Sequence, residues 1–454
     1  MKVCFLLNDL ALSGGTGVVV EHAHQLATQH DMEVTLVVCG SQDGAWDYRR
    51  LAGVRVIDLA EARRDRFDVA VATWWRTAYD LFDVPAERHA YFVQSLEERF
   101  YERFATERLT AALTHTLPVA FITEARWIRD LLVAFAPGAQ VHYVRNGIDK
   151  EVFPVVHEVS RSAEGRLRIL LEGHPEVWFK GIDESVEVLR QLTEPFQATL
   201  VTGATGYQSP EVVHRRVGPL TQRELAKEYA EHDVVLKMSR VEGMYGPPLE
   251  AFHRGATVVT TPVTGHDEYV EHGWNGLVAD WDDLRGTARF LDLLARDRVL
   301  LHRLRRNAVD TARAWPSWDQ AGDVMAGALR AIVERPMADP RQGAARMLGD
   351  ILAGTVEQGL ERRQLIVEIH ERRREVDHLQ GELAKVKGQI DDYHAQLLAK
   401  GDELSAVVHS PRWAYGGAVQ RLLGGRMGRA MGRLLEHPVA RRSLRRALLR
   451  LTSG

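Results

Sequence analysis

Glu242 and Glu250 enclose seven residues in the stretch "RVEGMYGPPLEAFHRG", from Arg240 to Gly255. Ahead of it, "HDVVLKMS" reads as a buried strand, so Glu242 falls on the loop at a strand's C-terminal end, where doubly wound sheets hold ligands. Gly243 and Gly246 let a ligand approach the backbone closely, and Pro247 and Pro248 preset a helix that Gly255 ends. The free N–H groups of that helix start suit phosphate oxygens, and Glu250 is expected in its first turn. Two carboxylates and a phosphate site then converge. The plain alternative is that Glu250 only complements the helix dipole.

The elements that must position these residues are legible as an alternation. "KVCFLL", "EVTLVV", "VRVIDL", "DVAVAT", "AYFVQ", "VAFIT" and "VHYVRNG" are strand-like runs separated by helical patterns, which predicts a parallel sheet wound on both faces. The alternation restarts after "PVVHEVSRSAEGR" with "LRILLEG", "FQATLVTG", "VHRRVG", "DVVLKMS", "ATVVTT" and "NGLVAD". The fold class is therefore α/β: a Rossmann-like domain over 1–150, a second over 151–335, and a ligand cleft between them. A proline-rich linker over 336–355 should follow. From Leu365 to Val407 an apolar seam repeats at alternating steps of four and three, broken only by Arg372 and Lys400, which predicts a coiled coil over 356–408. Residues 409–454 form a basic amphipathic tail.

The glutamate spacing, with Gly243, Gly246, Pro247 and Ala251 in place, resembles the E-x7-E signature (E-G-F-G-x-P-x-x-E-A) of the retaining two-Rossmann glycosyltransferases of family 4. Met244 and Tyr245 stand around the usual phenylalanine position. The resemblance runs from about Met1 to Ile332 and implies the GT-B fold, a nucleotide-sugar donor, retention of configuration, and no metal or other cofactor. It implies Glu242 and Lys180 as the catalytic pair, Glu242 toward the sugar hydroxyls and Lys180, in "LEGHPEVWFKG", on the donor phosphates. His174 stands where relatives carry arginine, and a histidine is only partly charged and cannot bind bidentately. Gly14 and Gly15, in "SGGTGVVVEHAHQLA", look like the family's phosphate-approach glycines; Glu250 would hold the ribose. "VTGHDEYVEHGWNGLV" resembles the segment that closes the donor site, with Glu268 as its acid. Gly243 to Gly246 complete the donor set, Met244 and Tyr245 with His266 and Asp267 choosing the sugar.

"VRNGIDKEVF" is similar to the family's hinge-proximal segment, although Asn146-Gly147 also suits a plain turn. Many relatives carry a histidine on an early loop; here those loops read "VATWWRTAYD" and "YFVQSLEERFY", the second resembling rhamnosyltransferase-like members. Trp75, Gln94 and Glu97 are the acceptor-side candidates, against a plain role as a strand cap and core filling.

Composition bounds the rest. The 454 residues, 45% hydrophobic, suffice for two cores plus appendages, with no apolar run of the roughly 20 residues a membrane span needs. "MKVCFLL" reads as a first strand, not a signal peptide, and Cys4 and Cys39 as reduced, buried thiols of a cytoplasmic protein. The net charge of −4 conceals ten arginines against Glu436 after Pro411. Leucines interleave them at helical spacing, fitting an anionic membrane surface on the inner face of the plasma membrane. No module for nucleic acid is present. The expected function is sugar transfer to a glycan or lipid-linked acceptor of a cell-surface polysaccharide, with self-association or a coiled-coil partner. The rival is a non-catalytic scaffold of a glycan-assembly complex; a Rossmann dehydrogenase fits the glycine loop but leaves both glutamates unexplained.

Overall fold

Buried parallel strands need near-continuous apolar runs, and each such run of the sequence forms a strand. The first sheet comprises β1 (Lys2–Leu7), β2 (Glu33–Val38), β3 (Val54–Asp58), β4 (Phe67–Ala72), β5 (Ala86–Val93), β6 (Ala120–Thr123) and β7 (Val141–Tyr143). The second comprises β8 (Leu167–Glu172), β9 (Phe196–Val201), β10 (Arg215–Val217), β11 (Val234–Lys237), β12 (Thr257–Thr260) and β13 (Gly276–Val278). Helices α1 (Gly14–Gln29), α2 (Leu59–Ala62), α3 (Trp75–Asp80), α4 (Thr106–Leu113) and α5 (Arg126–Phe135) accompany the first sheet. Helices α6 (Ile182–Arg190), α7 (Gln222–Glu231), α8 (Gly246–His253), α9 (Leu284–Arg296) and α10 (Arg298–Ala314) accompany the second, followed by α11 (Trp318–Glu334) and α12 (Pro340–Val408). This computed structural model describes residues 1–11, 13–40, 51–159, 165–335 and 340–408, with side chains in the last segment for 359, 361–400 and 402.

Strand order is β3-β2-β1-β4-β5-β6-β7 and β10-β9-β8-β11-β12-β13. All pairs are parallel; Val3 of β1 faces Val34 of β2 and Val69 of β4. In each sheet the order reverses between the first strand and the fourth, so the loops after β1 and β4, and after β8 and β11, open the crevice that holds ligands in such sheets. These are the two Rossmann-like halves of the GT-B architecture. Apolar clusters cover both faces of each sheet.

Two boundaries differ from the sequence reading. The apolar face of α11 (Met325, Ala326, Leu329, Ile332) lies in the first sheet's core with Phe5 and Leu26, so the chain returns to the first domain before 335. The return runs beside the outward crossing: Ile148 N–H donates to Pro316 O at 3.1 Å, and Trp315 Nε1 donates to Asn146 O at 2.9 Å. A Cβ on Gly147 would sit 2.5 Å from the Trp318 backbone, so the glycine of "RNGID" is required by this crossing. The second difference is the linker: residues 340–355 are helical, because Pro340 tolerates a helix's first position and α12 continues unbroken to Val408. Two compact units are present, Met1–Glu361 and Arg362–Gly454. Residues 336–339 of the expected linker and the tail over 409–454 lie outside the described residues. Among the described residues no helix is long and apolar enough to cross a membrane. Both cysteines are free, Cys4 buried and Cys39 partly so.

Candidate active site

Lys180 closes a short 3-10 turn (Trp178–Lys180) after β8, and Glu242 lies on the loop after β11. Sixty-two residues apart in sequence, they meet: Lys180 Nζ is 3.1 Å from Glu242 Oε1 and 3.2 Å from Oε2. The carboxylate is 11% exposed and the ammonium side chain 30%. Gly181, at φ +66°, lets the turn pass against Met238, whose carbonyl oxygen would lie 2.0 Å from an added Cβ. The pairing is thus built by the backbone of the two loops.

Beside this pair α8 begins at Gly246, with prolines at its start. A Cβ on Gly246 would meet nothing within 4 Å, so the start of α8 borders open space at that residue, while Pro247 and Pro248 carry no N–H. Glu250 is not in the first turn, as the sequence reading had it: α8 starts only at Gly246, and no acidic residue stands in its first turn. Its proton is instead governed by burial, which pushes Glu250 up to about 8, with Glu172 adding and Lys237 opposing. Glu172 behaves oppositely: burial raises it, but the Lys237 ammonium, 2.7 Å away, outweighs burial and holds it below the usual range. Lys237 ends β11 and is 2% exposed, so the floor of the site is an ion pair between a buried lysine and the partly exposed Glu172. His174 is partly buried, and its Nδ1 has no hydrogen-bond partner among the described residues.

The first domain meets this floor at close range. Gly14 and Gly15 open α1, whose cap is Ser13 accepting from Thr16 N–H. A Cβ on Gly15 would lie 3.4 Å from Gln94 Oε1, and one on Gly243 would lie 1.7 Å from Gln94 O. Gln94 therefore sits between the α1 start and the Glu242 loop. Trp127 Nε1 donates to Gly243 O at 3.0 Å, and Phe100 stacks on Phe179, their centroids 5.1 Å apart.

Two carboxylates that span the cleft were differently read or missed. Glu124, at the C-terminal end of β6, accepts from Met244 N–H at 3.0 Å and from Asn146 Nδ2 at 2.7 Å. Burial pushes it up to about 7, the Asn146 and Met244 hydrogen bonds opposing, and Glu242 and Glu268 adding. Glu268, expected on the donor, turns to the first domain: it accepts from Arg126 N–H at the start of α5 (2.5 Å), from Arg126 Nε (3.2 Å) and from the Tyr143 hydroxyl (2.7 Å). A strand-end position was the one signal that could have marked Glu124 in the sequence.

The remaining candidates are placed as follows. Tyr245, read as facing the sugar, turns inward: its ring is fully buried and its hydroxyl is 2.8 Å from Thr260 Oγ1, so only its backbone borders the loop. Met244 reaches the cleft through its N–H. His266 and Asp267 form a 3-10 turn with Glu268; His266 Nδ1 is 2.6 Å from Val263 O, and Asp267 O accepts from Arg126 Nη2. Trp75 and Glu97 meet each other, Trp75 N–H donating to Glu97 Oε2 at 2.7 Å and the Tyr91 hydroxyl adding a bond at 3.0 Å. They are 6% and 5% exposed, and burial pushes Glu97 up to about 8. In this arrangement they brace the loops after β4 and β5, while Trp74 and Arg76 at the same corner stay more open.

No curated protein matches the chain significantly. Among solved structures, Anabaena Alr3699/HepE in complex with UDP-glucose aligns with TM-score 0.60 at 16% identity, covering 73% of this chain and 100% of that one. Sucrose-phosphate synthase from Thermosynechococcus elongatus aligns with TM-score 0.60 at 15% identity, covering 73% and 98%. The lipopolysaccharide outer core galactosyltransferase WaaB, in its apo form, aligns with TM-score 0.56 at 12% identity, covering 73% and 99%. These likenesses show the fold. Residues 166–297, which carry Lys180, Glu242, Glu250 and Glu268, match the family model described as Glycosyl transferases group 1.

Proposed function

We propose that the protein is a retaining, metal-independent glycosyltransferase, moving a hexose or deoxyhexose from a nucleotide-sugar donor to a growing, lipid-linked cell-surface polysaccharide. The observation that carries this reading is the meeting of Lys180 and Glu242 in front of the α8 N-terminus, within the segment that matches the group 1 model. Breaking the bond between the anomeric carbon and the phosphate oxygen leaves negative charge on the diphosphate and positive charge on the carbon. Lys180 and the backbone N–H of Gly246 answer the first. Glu242 holds the sugar's hydroxyls and Glu250 the ribose. The acceptor hydroxyl attacks from the face the diphosphate leaves and gives its proton to the departing phosphate, so configuration is retained without a histidine base.

HepE's complex holds UDP-glucose, so UDP-hexoses head a donor panel that also includes GDP- and dTDP-sugars. Thermal shift and donor hydrolysis are measured for the wild type, Lys180→Ala and Glu242→Ala. One donor should stabilise the wild type and be slowly hydrolysed by it, with both effects lost in the variants. His174 in an arginine's place favours a second reading, a non-catalytic scaffold of a glycan-assembly complex. That reading takes over where no donor shifts or is cleaved.

A further inference from the structure

Helix α12 carries a stripe of apolar side chains that nothing among the described residues covers. Ile369, Val376, Leu383, Ile390 and Leu397 recur every seven residues and are 43–64% exposed. Leu379, Val386 and Tyr393 fall between them, again at a seven-residue interval and 41–58% exposed. In heptad terms the first set holds the a positions and the second the d positions. An exposed stripe of this length on one helix face is a seam for another helix.

The charges flanking the seam say which helix. The g positions before each a residue are Glu368, Glu375 and Glu382, then Gln389 and Gln396. The e positions after each d residue are Arg373, Gln380, Lys387 and His394. One edge is acidic and the other basic. In a parallel, in-register pair each g residue faces the e residue five positions on in the other chain. Glu368 then meets Arg373, Glu382 meets Lys387, and no like charges oppose. An antiparallel pair sets g against g and e against e, glutamate facing glutamate and arginine facing lysine. Ile369, Val376 and Ile390 at a, with Leu379 at d, follow the two-strand preference, and Leu383 and Leu397 fill the other a positions. Two d positions carry cations: Arg372, held by Glu375 of its own helix at 3.1 Å, and Lys400, at the last position of the seam.

We infer that the partner of this helix is a second copy of the same chain, joined as a parallel, in-register two-stranded coiled coil over residues 365–400. The inference stands apart from the transferase reading, since it uses no residue of the cleft. Its consequence is that both chains enter the coil at one end and both basic tails leave it at the other. Two tails on one rod raise the effective affinity of each for any surface they recognise.

The full-length protein is tested by sedimentation equilibrium and by cysteine pairing. A dimer is expected at roughly 10 μM chain, as a Kd in the micromolar range or below gives. In a Cys39→Ser background, Leu379→Cys and Tyr393→Cys, made separately, should each give an interchain disulfide under mild oxidation. An antiparallel pair can bring at most one of these positions opposite itself. Combining Glu368→Lys with Glu382→Lys should weaken the dimer at least about thirtyfold, because four symmetry-related pairs turn repulsive, and adding Arg373→Glu with Lys387→Glu should restore it. Unchanged helix content by circular dichroism guards against simple unfolding. A monomer at that concentration, pairing at only one cysteine position, or indifference to the charge reversal overturns the inference.

Discussion

Gly243 passes close against the first domain, and Gly243→Ala tests whether that closeness matters. The added methyl would lie 1.7 Å from the Gln94 carbonyl oxygen and 3.3 Å from Ser95 Cα, both backbone atoms that no rotamer change can move. Real Cβ contacts essentially never fall below 3.0 Å, so the loops must part by more than an ångström. Overpacking of this kind costs about 1–3 kcal/mol where a core must absorb it. Here the strain falls between two domains whose own cores do not touch it, and it is relieved by opening the cleft. The expected result is a melting temperature close to wild type but a donor turnover reduced about a hundredfold, the usual effect of a misplacement near 1 Å. Kinetics on the donor identified by the panel, with small-angle scattering for the opening, read both effects. Gly246→Ala, whose methyl meets nothing within 4 Å, is the stability control and should melt like the wild type. Turnover by Gly243→Ala within about twofold of wild type would refute the view that catalysis needs this contact.

Other outcomes follow from the buried carboxylates and from the tail. Glu124 titrates near 7 in the folded protein against 4.5 ordinarily, so the folded state keeps a proton that the unfolded chain releases. Its contribution to stability is full below about 4.5 and is lost as pH rises through about 7; Glu124→Gln should make that decline in melting temperature shallower, and an unchanged slope sinks the assignment. Glutamine still accepts from Met244 N–H once Asn146 turns its amide, so the variant should fold. Ending the chain at Ser410 should abolish co-sedimentation with vesicles of anionic lipid while donor hydrolysis persists; unchanged vesicle binding removes the membrane reading of the ten arginines.

Much of the architecture was legible because buried parallel strands are written as apolar runs: "EVTLVV" and "TVVT" can bury both faces only inside a wound sheet. The position of Glu242 was legible because a strand-end loop is a local pattern, while Lys180 was singled out only by its resemblance to the family's lysine segment. What failed depends on contacts that no local pattern encodes. The apolar face of α11 does not say which of two sheets it covers. Tyr245 reads the same whether its ring faces a sugar or Thr260. Glu124 and Glu268 find their partners 120 and 142 residues away, across the cleft, and nothing beside them in sequence announces those bonds.

The Lys180–Glu242 pair also implies an order of events that one substitution can test. The ammonium and the carboxylate satisfy each other at 3.1 Å, beside the buried carboxyl groups of Glu124 and Glu250. A diphosphate entering this site needs Lys180, and the sugar's hydroxyls need Glu242, so on the proposed reading the complete donor separates the pair and occupies both ends. A nucleoside diphosphate without its sugar takes only the lysine and leaves Glu242 desolvated and unpaired, which costs binding. Glu242→Gln removes that cost, since a neutral amide holds the ammonium weakly and loses little when it leaves. The variant should therefore bind the free nucleoside diphosphate more tightly than wild type while hydrolysing the nucleotide sugar more slowly. Calorimetry with the diphosphate and turnover of the donor give the two readings. If both weaken together, Glu242 serves only to hold Lys180 in place, and its role toward the sugar is lost.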